Sequence, residues 1–259
     1  MREKKQKSKN KKSKLKIILI IFFSICLICS TVYLAWYFIN FYKNKELYEN
    51  LQKEVPNEEV AENQNNEFID KVKELQKENS DIKGWIRIED TNISYPLLQT
   101  DNNDYYLTHD YKKEENYYGS IFMNSKSDLK DNNSNVIIYG HNMQSGGQMF
   151  KDLLKYQDKS FYEEHPIIKI TTEEKEDEYE IISVFKSRVF YKSEKNVFRY
   201  YYCYDFENED EYNEYINNCK EIELYDTGKT ASYGEQLITL ITCEYSQEDG
   251  RMVVVARKI

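Results

Sequence analysis

The 259-residue chain is 40% hydrophobic and 15% aromatic, with only eight glycines and three prolines. That composition excludes a collagen-like or low-complexity polymer and allows a sizeable core. The net charge of −9 hides two environments: residues 2–16 hold Arg2 and eight lysines against the single acid Glu3, so this tip carries +8 and the remainder −17.

Residues 17–39 follow the basic tip without one charged side chain. A bilayer core needs about 20 helical residues, and a signal-peptide apolar region is usually about 7–15. The segment therefore predicts an uncleaved signal-anchor over 17–42, crossing the cell membrane once, with residues 1–16 cytoplasmic and the rest extracellular. Tyr33, Trp36, Tyr37 and Tyr42 are placed to form the outer aromatic belt. A basic tip is also compatible with a nucleic-acid arm, but next to a membrane span its expected partner is anionic lipid, and no nucleic acid is expected.

Residues 43–66 are polar and acidic, contain one proline and read as an extracellular spacer. From residue 67 the texture changes. Phe68, Val72 and Leu75 recur at helical spacing, with Asn65 or Asn66 as cap and 79–81 as the stop. After Gly84 the pattern turns β-like: two short runs at 85–88 and 93–97 flank a turn-prone stretch. Further strands are expected at 120–123, 135–139, 167–171, 179–188, 236–242 and 252–257, with helical turns at 148–156 and 209–219. Many strands with few helices favour a mainly antiparallel β barrel or sandwich with peripheral helices over βαβ repetition. Residues 67–259 form the expected globular domain.

Five cysteines are present. Cys26 and Cys29 lie inside the apolar span, where redox or zinc chemistry has little support. Cys203 sits in an aromatic run, either as a small buried hydrophobe or paired with Cys219. Cys243 differs. It ends the apolar run 237–242 and precedes a polar, glycine-containing turn, so it belongs at a strand end, where a thiol reaches a groove while its backbone is held. Thiol chemistry requires the thiolate and hence a basic or positive neighbour. Of the three histidines, His141 follows the apolar run 136–139 and Gly140, a position that exposes its ring at a strand exit. His109 and His165 lie among turn and charge signals and read as surface residues. Arg251 opens the last strand eight residues after Cys243. If the intervening turn closes a hairpin, the two face each other, and the guanidinium can donate to a carbonyl or oxyanion. A surface ion pair with Glu244, Glu248 or Asp249 is the alternative role.

These residues resemble the signatures of the sortases, membrane-anchored cysteine transpeptidases of Gram-positive bacteria: T-L-I-T-C at 239–243, Arg251 on the next strand, and Y-G-H-N at 139–142. Similarity is greatest to class B, through G-W-I-x-I at 84–88, N-I-S-Y-P at 92–96, D-N-N-D-Y-Y-L at 101–107, G-S-I-F at 119–122 and a helix before the cysteine strand. The resemblance implies an eight-stranded sortase-type β-barrel preceded by an N-terminal helix and a transmembrane helix. It assigns Cys243 as nucleophile, His141 as general acid/base and Arg251 as the positioning and charge-stabilising group. Glu244, Thr242 and Asn103 are implied substrate contacts. Ile241 departs from a serine common at that position in class B, and the interval from Cys243 to Arg251 is short for some relatives.

The reaction so implied cleaves a surface protein after the threonine of a C-terminal cell-wall sorting signal. A thioacyl enzyme forms and the protein passes to a peptidoglycan amine, with no metal and no cofactor. Two other readings are kept: a hydrolytic cysteine peptidase and a non-catalytic, membrane-tethered adhesion domain.

Overall fold

The computed structural model describes residues 2–53, 64–130, 135–143 and 148–259, and the side chains of 14 and 16–53 and of those from 67 onward within these ranges. The chain divides into two compact units, Met1–Leu47 and Tyr48–Ile259.

The first unit belongs to helix α1 (Arg2–Lys53). One stretch, Lys16–Lys53, is long and apolar enough to cross a membrane, with a mean hydropathy of 2.8 in its most apolar window. The isoleucines, leucines and phenylalanines of residues 17–39 are exposed, as a lipid-facing surface requires. The helix does not end at the span. Helical structure runs through Lys53 in the stretch expected to be a spacer, and Tyr48 and Leu51 are buried in the second unit. The rest of the spacer, 54–63, and the cap side chains Asn65 and Asn66 lie outside what is described.

The second unit is a closed barrel of eight strands: β1 (Ile82–Arg87), β2 (Ser94–Leu98), β3 (Ile121–Met123), β4 (Asn135–Tyr139), β5 (Ile167–Thr171), β6 (Glu176–Arg188), β7 (Leu237–Cys243) and β8 (Gly250–Lys258). The order around the barrel is β1-β2-β3-β4-β7-β8-β6-β5. Most neighbours are antiparallel, but β2–β3 and β4–β7 are parallel. Parallel pairs buried on both faces read as unbroken apolar runs, which is why N-V-I-I-Y and L-I-T-L-I-T do not alternate.

Helix α2 (Gln64–Glu78) lays Phe68, Val72 and Leu75, all nearly inaccessible, on the barrel. The Phe68 ring lies 6.2 Å from that of fully buried Trp85 on β1. Each such side chain contributes about 1.5–3 kcal/mol through removal from water. A short helix not expected from the sequence, α3 (Lys159–Glu164), follows a 3-10 stretch at Phe150–Gln157. Helix α4 (Glu209–Glu221) is capped by Asn208, whose side chain accepts from Glu211 N. It buries Tyr212, Tyr215, Ile216 and Cys219 against Ile137, Leu237, Ile241 and Val253 of the barrel. A polar chain pins that packing: Tyr215 OH meets Thr239 Oγ1 at 2.7 Å, and Thr239 Oγ1 donates to Asn135 Oδ1 at 2.8 Å. Asn135 Nδ2 in turn donates to the Cys203 carbonyl at 2.8 Å.

Candidate active site

The parallel pairing of β4 with β7 sets the site. Tyr139 is registered with Ile241, so His141 and Cys243 each stand two residues beyond a paired position, at the same end of the barrel. The antiparallel hairpin of β7 and β8 makes Cys243 and Arg251 register partners. Glu244 N donates to Gly250 O at 2.9 Å and closes the turn. Cys243, His141 and Arg251, all half-buried, line one open groove of about 270 Å³ floored by Phe122, Tyr139 and Ile241.

Each of the three is held by its backbone. Thr242 Oγ1 donates to Gly140 O at 2.7 Å, and Asn142 Nδ2 donates to Cys243 O at 2.8 Å, stitching the two strand exits together. Gly140 is required for space rather than for a left-handed turn: a Cβ there would stand 2.4 Å from Ile121 Cδ1 and 2.7 Å from the Phe150 ring. His141 Nε2 lies 2.9 Å from the Leu107 carbonyl. A carbonyl can only accept, so Nε2 carries the hydrogen, and Nδ1 remains to take up or deliver a proton. Arg251 donates to the carbonyls of Asp249 at 3.1 Å and Gly250 at 2.8 Å. Both acceptors are neutral, and no ion pair of Arg251 is seen among the described residues.

The other residues singled out in the sequence divide between groove and scaffold. Thr242 and Asn103 line the groove, with Asn103 Oδ1 engaged by Ser125 N at 2.7 Å. Glu244 is 8% exposed, pairs with Lys186 at 3.4 Å, accepts from Ser246, and does not line the groove. Its role visible here is to hold the hairpin. His109 stacks on Tyr105 at 4.0 Å and His165 on Phe161 at 4.1 Å, both outside the groove. Cys203 and Cys219 are unbridged thiols. Burial pushes Cys203 up to about 11 and Cys219 higher still, which disfavours the thiolate at both. Nothing in the sequence pointed to the Leu107 carbonyl, because a backbone acceptor has no residue signature, nor to Tyr200 and Tyr201, which wall the groove.

A thiol, an imidazole and a guanidinium converging on one cleft are the parts of acyl transfer through sulfur. A family model described as the sortase domain matches residues 86–259. A sortase B of Listeria monocytogenes serovar 1/2a is 37% identical over 199 residues, 76% of this chain and 77% of the relative. Sortase B of Staphylococcus aureus is 35% identical over 187 residues, 71% of this chain and 73% of that protein. Among solved structures, a mutant form of Clostridium perfringens sortase B matches with a TM-score of 0.72 at 29% identity, covering 83% of this chain and 98% of that one. The chain belongs to the sortase family, class B, whose members are cysteine transpeptidases.

Proposed function

We propose that the protein cleaves a Thr-containing sorting signal of a surface protein and transfers the protein to a peptidoglycan amine. The supporting observation is the meeting of Cys243, His141 and Arg251 in one accessible groove at the strand exits. Cys243 gives its thiol proton to His141 and its Sγ attacks the threonyl carbonyl carbon; the C–N bond breaks, and the departing amine takes that proton from His141. An incoming amine then gives a proton to His141 and attacks the thioester carbon, the C–S bond breaks, and the departing Cys243 sulfur takes the proton back from His141. Arg251 stabilises the oxyanion in both steps. Related sortase B structures include a substrate complex and a complex with a triglycine peptide, in keeping with a peptide donor and an amine acceptor. The apolar part of α1 anchors the enzyme with its basic tip inside, and residues 67–259 form the extracellular catalytic domain. Glu244 acts on the groove through the hairpin rather than by touching substrate.

The test is incubation of the full chain, in detergent micelles, with a library of Thr-containing peptides and a free amine. Mass spectrometry should find an acyl adduct on Cys243, absent in Cys243→Ala, and diversion of product to the amine. Hydrolysis alone in the presence of amine would favour a peptidase. An inert Cys243 would favour the adhesion reading.

A further inference from the structure

The site is braced by a part of the chain outside the family match at 86–259. Tyr48, near the end of α1, is 3% exposed. Its ring meets Tyr95 edge-on at 5.3 Å and Tyr111 at 5.9 Å, and its hydroxyl donates to the Gly119 carbonyl at 3.1 Å. Gln52, one turn further, donates to Ser94 O at 2.8 Å.

Two routes run from Tyr48 to His141. The first passes through Gly119. This residue has a φ of +58° and is pressed so closely on its neighbours that a Cβ would stand 2.4 Å from Tyr106 O and 2.8 Å from Leu107 O. The next residue, Ser120, donates from its amide to Tyr106 O and from its hydroxyl to His109 O, both at 2.9 Å. Those bonds fix the 105–109 turn, and with it the Leu107 carbonyl that holds His141 Nε2. The second route passes through the Tyr95 ring. Tyr95 OH accepts from Met149 N at 3.0 Å, Met149 bridges to Asn142, and Phe150 N donates to His141 O at 2.9 Å. One side chain thus supports both the imidazole and the backbone of His141.

We propose that Tyr48 is a positioning residue for His141, so that the helix continuing from the apolar span completes the catalytic site. The inference rests on the acid/base reading of His141. The titratable groups sharing the groove with His141 are Cys243, Arg251, Tyr139, Tyr200 and Tyr201. Displacing the Leu107 carbonyl removes the restraint on the ring and on which nitrogen bears hydrogen, and a misplacement of about 1 Å costs on the order of a hundredfold in rate.

Two measurements on the full chain in micelles test this. One is alkylation of Cys243 by iodoacetamide at neutral pH, followed by mass spectrometry on the Cys243 peptide. The other is nitrogen NMR of ring-labelled histidine, assignable because the chain has three histidines. Tyr48→Ala should slow alkylation about tenfold and erase the Nε2–H signature of His141. Tyr48→Phe keeps the ring route and loses only the hydroxyl bond, so it should recover to within about threefold of wild type. Gln52→Ala loses the Ser94 bond and a contact with Tyr95, so it disturbs only the second route and should fall between wild type and Tyr48→Ala in both. A Tyr48→Ala protein with an unchanged His141 signal overturns the proposal, as does a Gln52→Ala protein that changes as much. His141→Ala is the separate control. If it alkylates at the wild-type rate, the acid/base reading fails, while the NMR signal of Tyr48→Ala still decides the positioning claim.

Discussion

Gly140→Ala is the most direct probe of how the barrel places His141. The added Cβ would sit 2.4 Å from Ile121 Cδ1 and 2.7 Å from the Phe150 ring, where ordinary contact begins near 3.4 Å. About 1 Å of movement is therefore needed. Ile121 and Phe150 are 1% and 0% exposed, so they can retreat only into packed interior. The remaining outlet is the β4 exit, which moves outward carrying His141. Overpacking of this kind costs about 1–3 kcal/mol, and a domain of this size loses about 2–4 °C in Tm per kcal/mol. Under the acid/base role proposed for His141, a shift of about 1 Å is worth on the order of a hundredfold in kcat. The expected signature is a modest fall in melting temperature with a disproportionate loss of transpeptidation, read by calorimetry and by amine-adduct formation in parallel. A Gly140→Ala enzyme with wild-type kcat would refute the reasoning. So would one whose activity falls only in step with its unfolded fraction.

Two further predictions concern charge. Glu176, its side chain 4% exposed, accepts from both terminal nitrogens of Arg87 at 2.5 and 3.1 Å and from Thr171 Oγ1 at 2.6 Å. Glu176→Ala strands the Arg87 charge and should cost about 3–5 kcal/mol in urea unfolding, whereas Arg87→Met combined with Glu176→Leu should cost much less. Equal losses from the two proteins would count against a stranded-charge origin. For Glu244, burial raises the carboxyl pKa, but hydrogen bonds from Ser246 and the Lys186 ammonium outweigh it, so the net shift is below the ordinary 4.5. A depressed carboxylate contributes stability above its unfolded value and loses it as pH falls through the folded value. Glu244→Gln should therefore flatten the acid limb of stability below about pH 4.5, and an unchanged limb would assign that sensitivity to other groups.

The sequence carried much of the barrel. Strands at 135–139 and 167–171 agree with β4 and β5 residue for residue, because bulky β-branched runs bounded by polar turns have few other solutions. The Cys243–Arg251 pairing was also legible, since a tight turn between two apolar runs fixes register. The docked end of α1 was not. Between residues 43 and 53 the buried anchors Tyr48 and Leu51 stand among polar side chains, and that stretch is helical because tertiary packing rewards it rather than because its own pattern demands it. Gly140 was noticed as a strand exit, yet its necessity comes from Ile121 and Phe150, which only folding brings beside it. Glu244 was noticed for its place next to the cysteine, but it stands in the turn beyond β7, where Lys186 and Ser246 engage its carboxylate and keep it out of the groove.

Strand direction explains why the site lies where it does. Had β4 run antiparallel to β7, the residues following the two strands would have emerged at opposite ends, separated by a five-residue strand length of about 17 Å. Parallel pairing places both exits on one rim, and the bonds from Thr242 to Gly140 and from Asn142 to Cys243 hold them at fixed separation. A parallel pair needs a long crossover, and the chain between Tyr139 and Leu237 uses it to lay down β5, β6 and α4 before returning. The return through β7 leaves β8 to close the barrel against both β7 and β6, which brings Arg251 to the same rim without any further element. The convergence of Cys243, His141 and Arg251 on one rim is therefore a consequence of one parallel pairing and one hairpin, each far more costly to disturb than a loop.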